Sequence, residues 1–192
     1  MKKSLALIAL LALCMAFKPN SKNDEIIWSP DRKLTWKDFE KPLSKYAPEA
    51  AGTNSGIDYS LKPIDNLSIK VGIYDIFFKS LSSKSLDKSH LINEILEHEQ
   101  GHFDINELYA RMLRKQLQDS SYINYNQFKI EFYKMYRSVD GAANSEEDKY
   151  DKETNHSIDT TMQNKWSKYI AEQLNAYAAY SQTEFVITYG KK

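Results

Sequence analysis

His98-Glu99-Gln100-Gly101-His102 sets two imidazoles four residues apart, with a carboxylate next to the first. Residues four apart on an α-helix share a face, so both rings can reach one ion. Glu99 is rotated by about 100° from His98. That places it beside the ion, where it can take a proton from a bound water. Neutral imidazole is a good zinc ligand, and zinc lowers the pKa of its water to near neutrality. The run is an H-E-x-x-H motif. It makes Zn²⁺ the expected cofactor, His98 and His102 its ligands and Glu99 the general base. Gly101 inside a helix costs about 1 kcal/mol relative to Ala. This points to close approach of another backbone, or to room for substrate, beside the metal.

A helix must carry the motif. Leu91, Ile92, Ile95, Leu96, Phe103, Leu108, Met112, Leu113 and Leu117 have helical spacing. The helix is expected to be capped at Ser85 or Asp87 and to run to about Gln118. A second helix is expected over Asn126–Ser138 and a third over Thr160–Tyr180, with a polar loop from Gly141 to Asn155 between them. The N-terminal half reads as strands. Ile26–Trp28 is short, and a turn capped by Thr35 follows. Ala51–Leu61 is a second strand and Pro63–Asn66 a turn. Leu67–Phe78 is the clearest strand, with Leu67, Ile69, Val71 and Ile73 facing one way. Gln182–Tyr189 adds a last strand. Strands followed by helices imply an α+β fold, with helices on one face of a small, mostly antiparallel sheet.

A catalytic zinc takes three protein ligands and a water. Asp104 and Glu107 point away from the His98/His102 face and read as solvent-facing charges. His90 lies more than two turns before His98 and reads as a surface histidine. His156 is the remaining histidine and the expected third ligand, its ring oriented by Thr154 or Asp151. Glu131 is the next candidate, followed by Glu146, Glu147 and Asp151.

Twenty-six basic residues balance twenty-six acidic ones. Without a clustered basic stripe, no nucleic acid partner is expected. Residues 1–17 read as a secretory signal: Met1-Lys2-Lys3 is basic, and the apolar run that follows is too short to span a membrane. Residues 18–25 form a polar leader, and 26–192 a single domain. Cys14, the only cysteine, lies in the signal. Leu11-Ala12-Leu13-Cys14 resembles a lipobox, with Leu13 where a small residue is usual, so Cys14 is a candidate lipid anchor. The mature chain is expected to be exported, to lack a transmembrane span and to hold its metal without thiolates.

The stretch HEQGHFDINELYAR, His98–Arg111, resembles the signature of a bacterial family catalogued as a domain of unknown function and described as secreted zinc-dependent proteases. Trp28-Ser29-Pro30-Asp31 with Leu34–Phe39 is similar to its N-terminal motif, and Ala51–Tyr59 to its next strand. Tyr150-Asp151 through Thr154-Asn155-His156 is similar to its downstream motif, with Ser157 where that family often has glycine. The likeness runs from about residue 26 to 180. It implies a zincin-like fold and zinc peptidase chemistry on a peptide or protein substrate. The strand Leu67–Phe78 is expected to offer its edge to that substrate, and Tyr150 is one candidate to stabilise the oxyanion. Two other readings stand beside the peptidase. One is a non-catalytic zinc-binding envelope protein, in which a fourth protein ligand would close the site. The other is an envelope-binding module using the scattered aromatic side chains.

Overall fold

The computed structural model describes residues 24–190 except Lys45 and Pro48. The expected signal, Cys14 and nearly all of the polar leader lie outside the described residues.

In chain order the elements are β1 (Glu25–Ile27), β2 (Lys41–Pro42), β3 (Ala51–Gly52), β4 (Ser55–Asp65), β5 (Ser68–Phe78), β6 (Ser83–Lys84), a 3₁₀ turn (Lys88–His90), α1 (Asn93–Asp119), α2 (Tyr125–Thr154), α3 (Thr160–Ala176), a second 3₁₀ turn (Ala178–Tyr180) and β7 (Glu184–Thr188). The fold is α+β, with mostly antiparallel strands ahead of the long helices.

β5 is the centre of the main sheet, with every second residue from Ile69 to Phe77 buried and Gly72 and Ile76 buried on the other face as well. Ile69, Val71, Ile73 and Phe77 are fully buried on the helix side. β4 pairs along its whole length on one side. On the other side β7 pairs with Ser68–Gly72 and β1 with Ile76–Phe78, all antiparallel. Both edges of β5 are therefore occupied, and it has no edge to offer an extended peptide. Leu67 is exposed at the hairpin tip, where the Asp65 carboxylate accepts the Leu67 N–H and the Ser68 hydroxyl. A second, small sheet places β6 between β2 and β3.

α1 is enclosed on three sides. Ala110, Leu113 and Leu117 pack against β5 and the aromatic stripe of α2. Phe103 packs against Phe77, Phe39 and Leu34. Ile105 packs against Tyr150, Trp166 and Ile170 of α2 and α3. The helix begins later than the cap residues suggest. Ile92 is its N-cap and makes no side-chain cap bond. Asp87 instead accepts from Ser89 in the preceding 3₁₀ turn, and the Ser85 hydroxyl accepts the Asp87 N–H.

The largest departure from expectation is α2. It is one helix of 30 residues, continuing through the stretch that reads as a loop. Beyond Ser138 it is held by Val139, Ala143, Tyr150 and Thr154, a stripe too sparse to register as apolar periodicity. Among the described residues, no helix is long and apolar enough to cross a membrane.

Candidate metal centre

α1 presents His98 and His102 on one face, one turn apart. Facing them is Asp151, near the end of α2. Its Oδ1 lies 3.0 Å from His98 Nε2 and 3.0 Å from His102 Nε2. Ligand atoms of the three residues lie within 4.8 Å of one another, and together they can hold a metal ion.

Both rings are gripped by their other nitrogen. His98 Nδ1 is 3.1 Å from Gln163 Oε1 on α3. His102 Nδ1 is 3.4 Å from Glu147 Oε1, one turn before Asp151. Gln163 is itself fixed, because its amide nitrogen donates to the Tyr150 hydroxyl at 2.6 Å. Its carbonyl oxygen must then face His98, so His98 Nδ1 carries the hydrogen. Neutral His98 is left with a bare Nε2 lone pair pointing at a carboxylate oxygen 3.0 Å away. Two acceptors at that distance require a cation between them, either a proton or a metal ion.

Tyr150 holds the arrangement together. Its ring stacks on His98 with centroids 4.7 Å apart and meets His102 edge-on at 5.1 Å. Its hydroxyl donates to the His98 carbonyl. With that hydroxyl fully buried and doubly bonded, Tyr150 has no group left for an oxyanion; it positions the histidines. Gly101 is explained by the same ring. A Cβ there would collide with the Tyr150 hydroxyl, so the close approach is by a side chain and not by backbone.

Electrostatics favour charge at this point. Burial opposes a proton on His102, but hydrogen bonds to Asp151 and Glu147, with Glu99 nearby, outweigh it and push the pKa up to about 10. Burial likewise works against ionised Asp151, and its close contacts with His102 and His98 override it. They hold the carboxyl well below its usual range.

Glu99 is buried, and its Oε2 has no hydrogen-bond partner among the described residues. It lines a cavity of about 700 Å³ with His98, His102 and Asp151. The opposite wall is the segment Glu49–Thr53, fastened to α1 by the Thr53 hydroxyl donating to the Glu99 carbonyl at 3.1 Å. Asn155 to Ile158 close the third side.

His156 lies on that third side, outside the cluster of close ligand atoms. α2 ends in a left-handed reversal, with φ of 48° at Asn155, 50° at His156 and 73° at Ser157. Each non-glycine residue held this way costs on the order of 1 kcal/mol. The reversal leaves the His156 side chain 69% exposed, its Nδ1 3.7 Å from Asp151 Oδ2. Asp151, and not His156, thus completes the set with His98 and His102. Thr154 does not orient His156; its hydroxyl bonds back to the Tyr150 carbonyl.

The other candidates fall elsewhere. Glu131 is on the same helix as Asp151 but twenty residues, about 30 Å, before it. His90 is exposed in the 3₁₀ turn, as expected of a surface histidine. Asp104 and Glu107 are not solvent-facing charges. Asp104 accepts from Trp28 Nε1 at 2.7 Å and pins the N-terminal segment to α1, while Glu107 is buried against two arginines. Gln163 had no signal in the sequence. Glu147 and Asp151 did have one: they are four apart, like the histidines they face.

No curated protein and no solved structure matches the chain. Residues 82–157, which carry His98, Glu99, His102, Glu147, Asp151 and His156, match the family described as Bacterial protein of unknown function (DUF922), the family that the His98–Arg111 signature resembles.

Proposed function

We propose that this chain is an exported zinc-dependent peptidase, with His98, His102 and Asp151 as its metal ligands and Glu99 as its general base. One observation carries the reading: both Nε2 atoms converge on Asp151 Oδ1 while both Nδ1 atoms are held from behind. Hydrogen bonds to the far nitrogen fix ring tautomer and orientation in metal-binding histidines. Two imidazoles and one carboxylate suit zinc, and three protein ligands are what a catalytic site uses. A purely structural site gives no role to an unpartnered carboxylate oxygen at Glu99.

When bound, a zinc ion lowers the pKa of its water and polarises a carbonyl. The protein's own part falls to Glu99. Its free oxygen takes the proton of the attacking water. A bond then forms from the water oxygen to the carbonyl carbon. As the C–N bond breaks, Glu99 delivers that proton to the departing nitrogen. Peptide is favoured as substrate by the opposite wall. The Ser85 N–H donates to the Ala50 carbonyl, and Gly52 pairs with Ser83. By antiparallel alternation the Ala51 N–H and C=O point away from β6, on the side where no described strand pairs with β3 and an extended chain could.

The test is zinc content and cleavage of a mixed peptide library by the parent and by Glu99→Gln. One zinc in each, with turnover lost about 10²–10⁴-fold in the variant, is the expected result. A parent that binds no zinc sinks the proposal. Equal turnover in the two proteins removes Glu99 from its role. The exported state is tested separately by the mass of the secreted chain, which should start near residue 17.

A further inference from the structure

We infer that His156 stabilises the oxyanion, donating a hydrogen bond to the substrate carbonyl oxygen rather than ligating the metal. The inference rests on the peptidase reading above. Three observations place the ring. It borders the same cavity as His98, Glu99 and His102. At 3.7 Å its nearest charged neighbour, Asp151 Oδ2, is beyond hydrogen-bond distance. No other side chain among the described residues engages the ring, so it keeps N–H capacity for a ligand. The backbone beneath it is held in three successive left-handed residues, none of them glycine. Strained backbone of this kind clusters at functional sites. Here it is secured by the His156 N–H donating to the Asp151 carbonyl at 2.9 Å. The residue whose carboxylate meets both histidines therefore also sets the height of His156 on the cavity wall.

Tyr150 is excluded as the donor because its hydroxyl is spent on the His98 carbonyl and Gln163. Among the described residues, no Lys or Arg lines the cavity. Among the described lining side chains, Asn155 and His156 carry N–H donors outside the ligand cluster, and of the two the His156 ring stands beside the ligand set, 3.7 Å from Asp151 Oδ2. In the reaction it undergoes no net change. Water oxygen bonds to the carbonyl carbon, the C=O electron pair moves onto oxygen, and the imidazole N–H donates to that oxygen. As the pair returns, the C–N bond breaks and Glu99 protonates the nitrogen.

The experiment compares the zinc-loaded parent with His156→Ala and His156→Gln. Three readouts are zinc affinity by chelator competition, library cleavage, and calorimetric binding of a short alanine phosphinic peptide. The tetrahedral, charged P–O of that probe copies the oxyanion. Both variants should hold one zinc with parental affinity. In His156→Ala, kcat should fall about 10²–10³-fold with KM nearly unchanged, as for loss of one oxyanion donor. Phosphinate binding should weaken in parallel, and the Gln amide should restore part of both. Loss of zinc from His156→Ala overturns the inference by making His156 a ligand. Kinetics and phosphinate binding within about threefold of parent, a change too small for a lost oxyanion donor, overturn it by making His156 a solvated side chain. A parent that holds zinc but neither binds the phosphinate nor cleaves peptide fails at the peptidase reading, and the role falls with it.

Discussion

The two ends of α1 each bury a cluster of charged and polar side chains, and only one of them is complete. Toward the C-terminal end, Glu107 Oε1 accepts from Arg111 Nε and Arg114 Nη1, and its Oε2 accepts from Arg114 Nη2. Arg114 spends its remaining donors on the Ile73 and Tyr180 carbonyls. Every N–H of that guanidinium is used, and the residue is wholly buried. Toward the N-terminal end, His98 and His102 face two carboxylates, Glu147 and Asp151, and beside them one Glu99 oxygen has no partner among the described residues. The first cluster closes on itself and ties α1 to β5. The second has an excess of acceptors and opens on a cavity. Buried polarity that is saturated stabilises a fold; buried polarity left short of cations marks a place for a ligand.

Breaking the closed cluster should have the largest effect. Glu107→Ala strands two buried guanidinium groups and should cost about 3–5 kcal/mol. Urea unfolding with and without zinc is the measurement, and the loss should be the same in both. A loss that zinc restores would mean that the two clusters are one system.

The open cluster should behave in the opposite way. Zinc at one hundred times its dissociation constant should stabilise the parent by about 2.7 kcal/mol. Asp151→Ala should abolish that increment. A variant still stabilised like the parent would move the third ligand to another residue, with His156 the first to test.

The same contrast explains what could be read in the sequence. His98, Glu99 and His102 were legible because one helical turn carries all three. The core-facing positions of β5 and the start of α3 at Thr160 are legible for similarly local reasons. Asp151 is among the last candidates in the sequence, because His156 is the histidine still uncommitted and nothing local marks the carboxylates of residues 141–155, which read as a loop. They form a helix whose buried stripe is about one residue per turn, and the outer faces are charged. Glu147 and Asp151 matter through α1, and Gln163 through Tyr150; such partnerships across helices leave no periodicity. Glu107 misleads for the opposite reason. Its charge suggested solvent, whereas Arg111 and Arg114, four and seven residues on, are the partners that allow its burial.

A third polar group lies under the same helix and belongs to neither pattern. Asp75 sits on β5 between Ile73 and Phe77, fully buried, with neither carboxylate oxygen hydrogen-bonded among the described residues. Burial pushes its pKa well up, aided by the negative charges of Glu107, Glu147 and Asp104 and opposed by Arg114. The folded protein therefore keeps the Asp75 proton at pH values where the unfolded chain has released it. The unfolded state binds fewer protons across that window, so stability falls as pH rises. The cost is absent below the ordinary carboxylate pKa of about 3.9. It grows with pH until the raised folded pKa is reached, and then levels off. Asp75→Asn cannot ionise and should lack this slope. Its amide brings two unsatisfied donors into the same apolar site, which offsets the gain. The net change at neutral pH should thus be small, on the order of 1 kcal/mol, while the change in slope is the signature. Unfolding free energies of both proteins from pH 4 to 8 give that slope. Parallel curves would show that Asp75 is ionised in the fold, and that a cation or water inside the sheet–helix interface satisfies it.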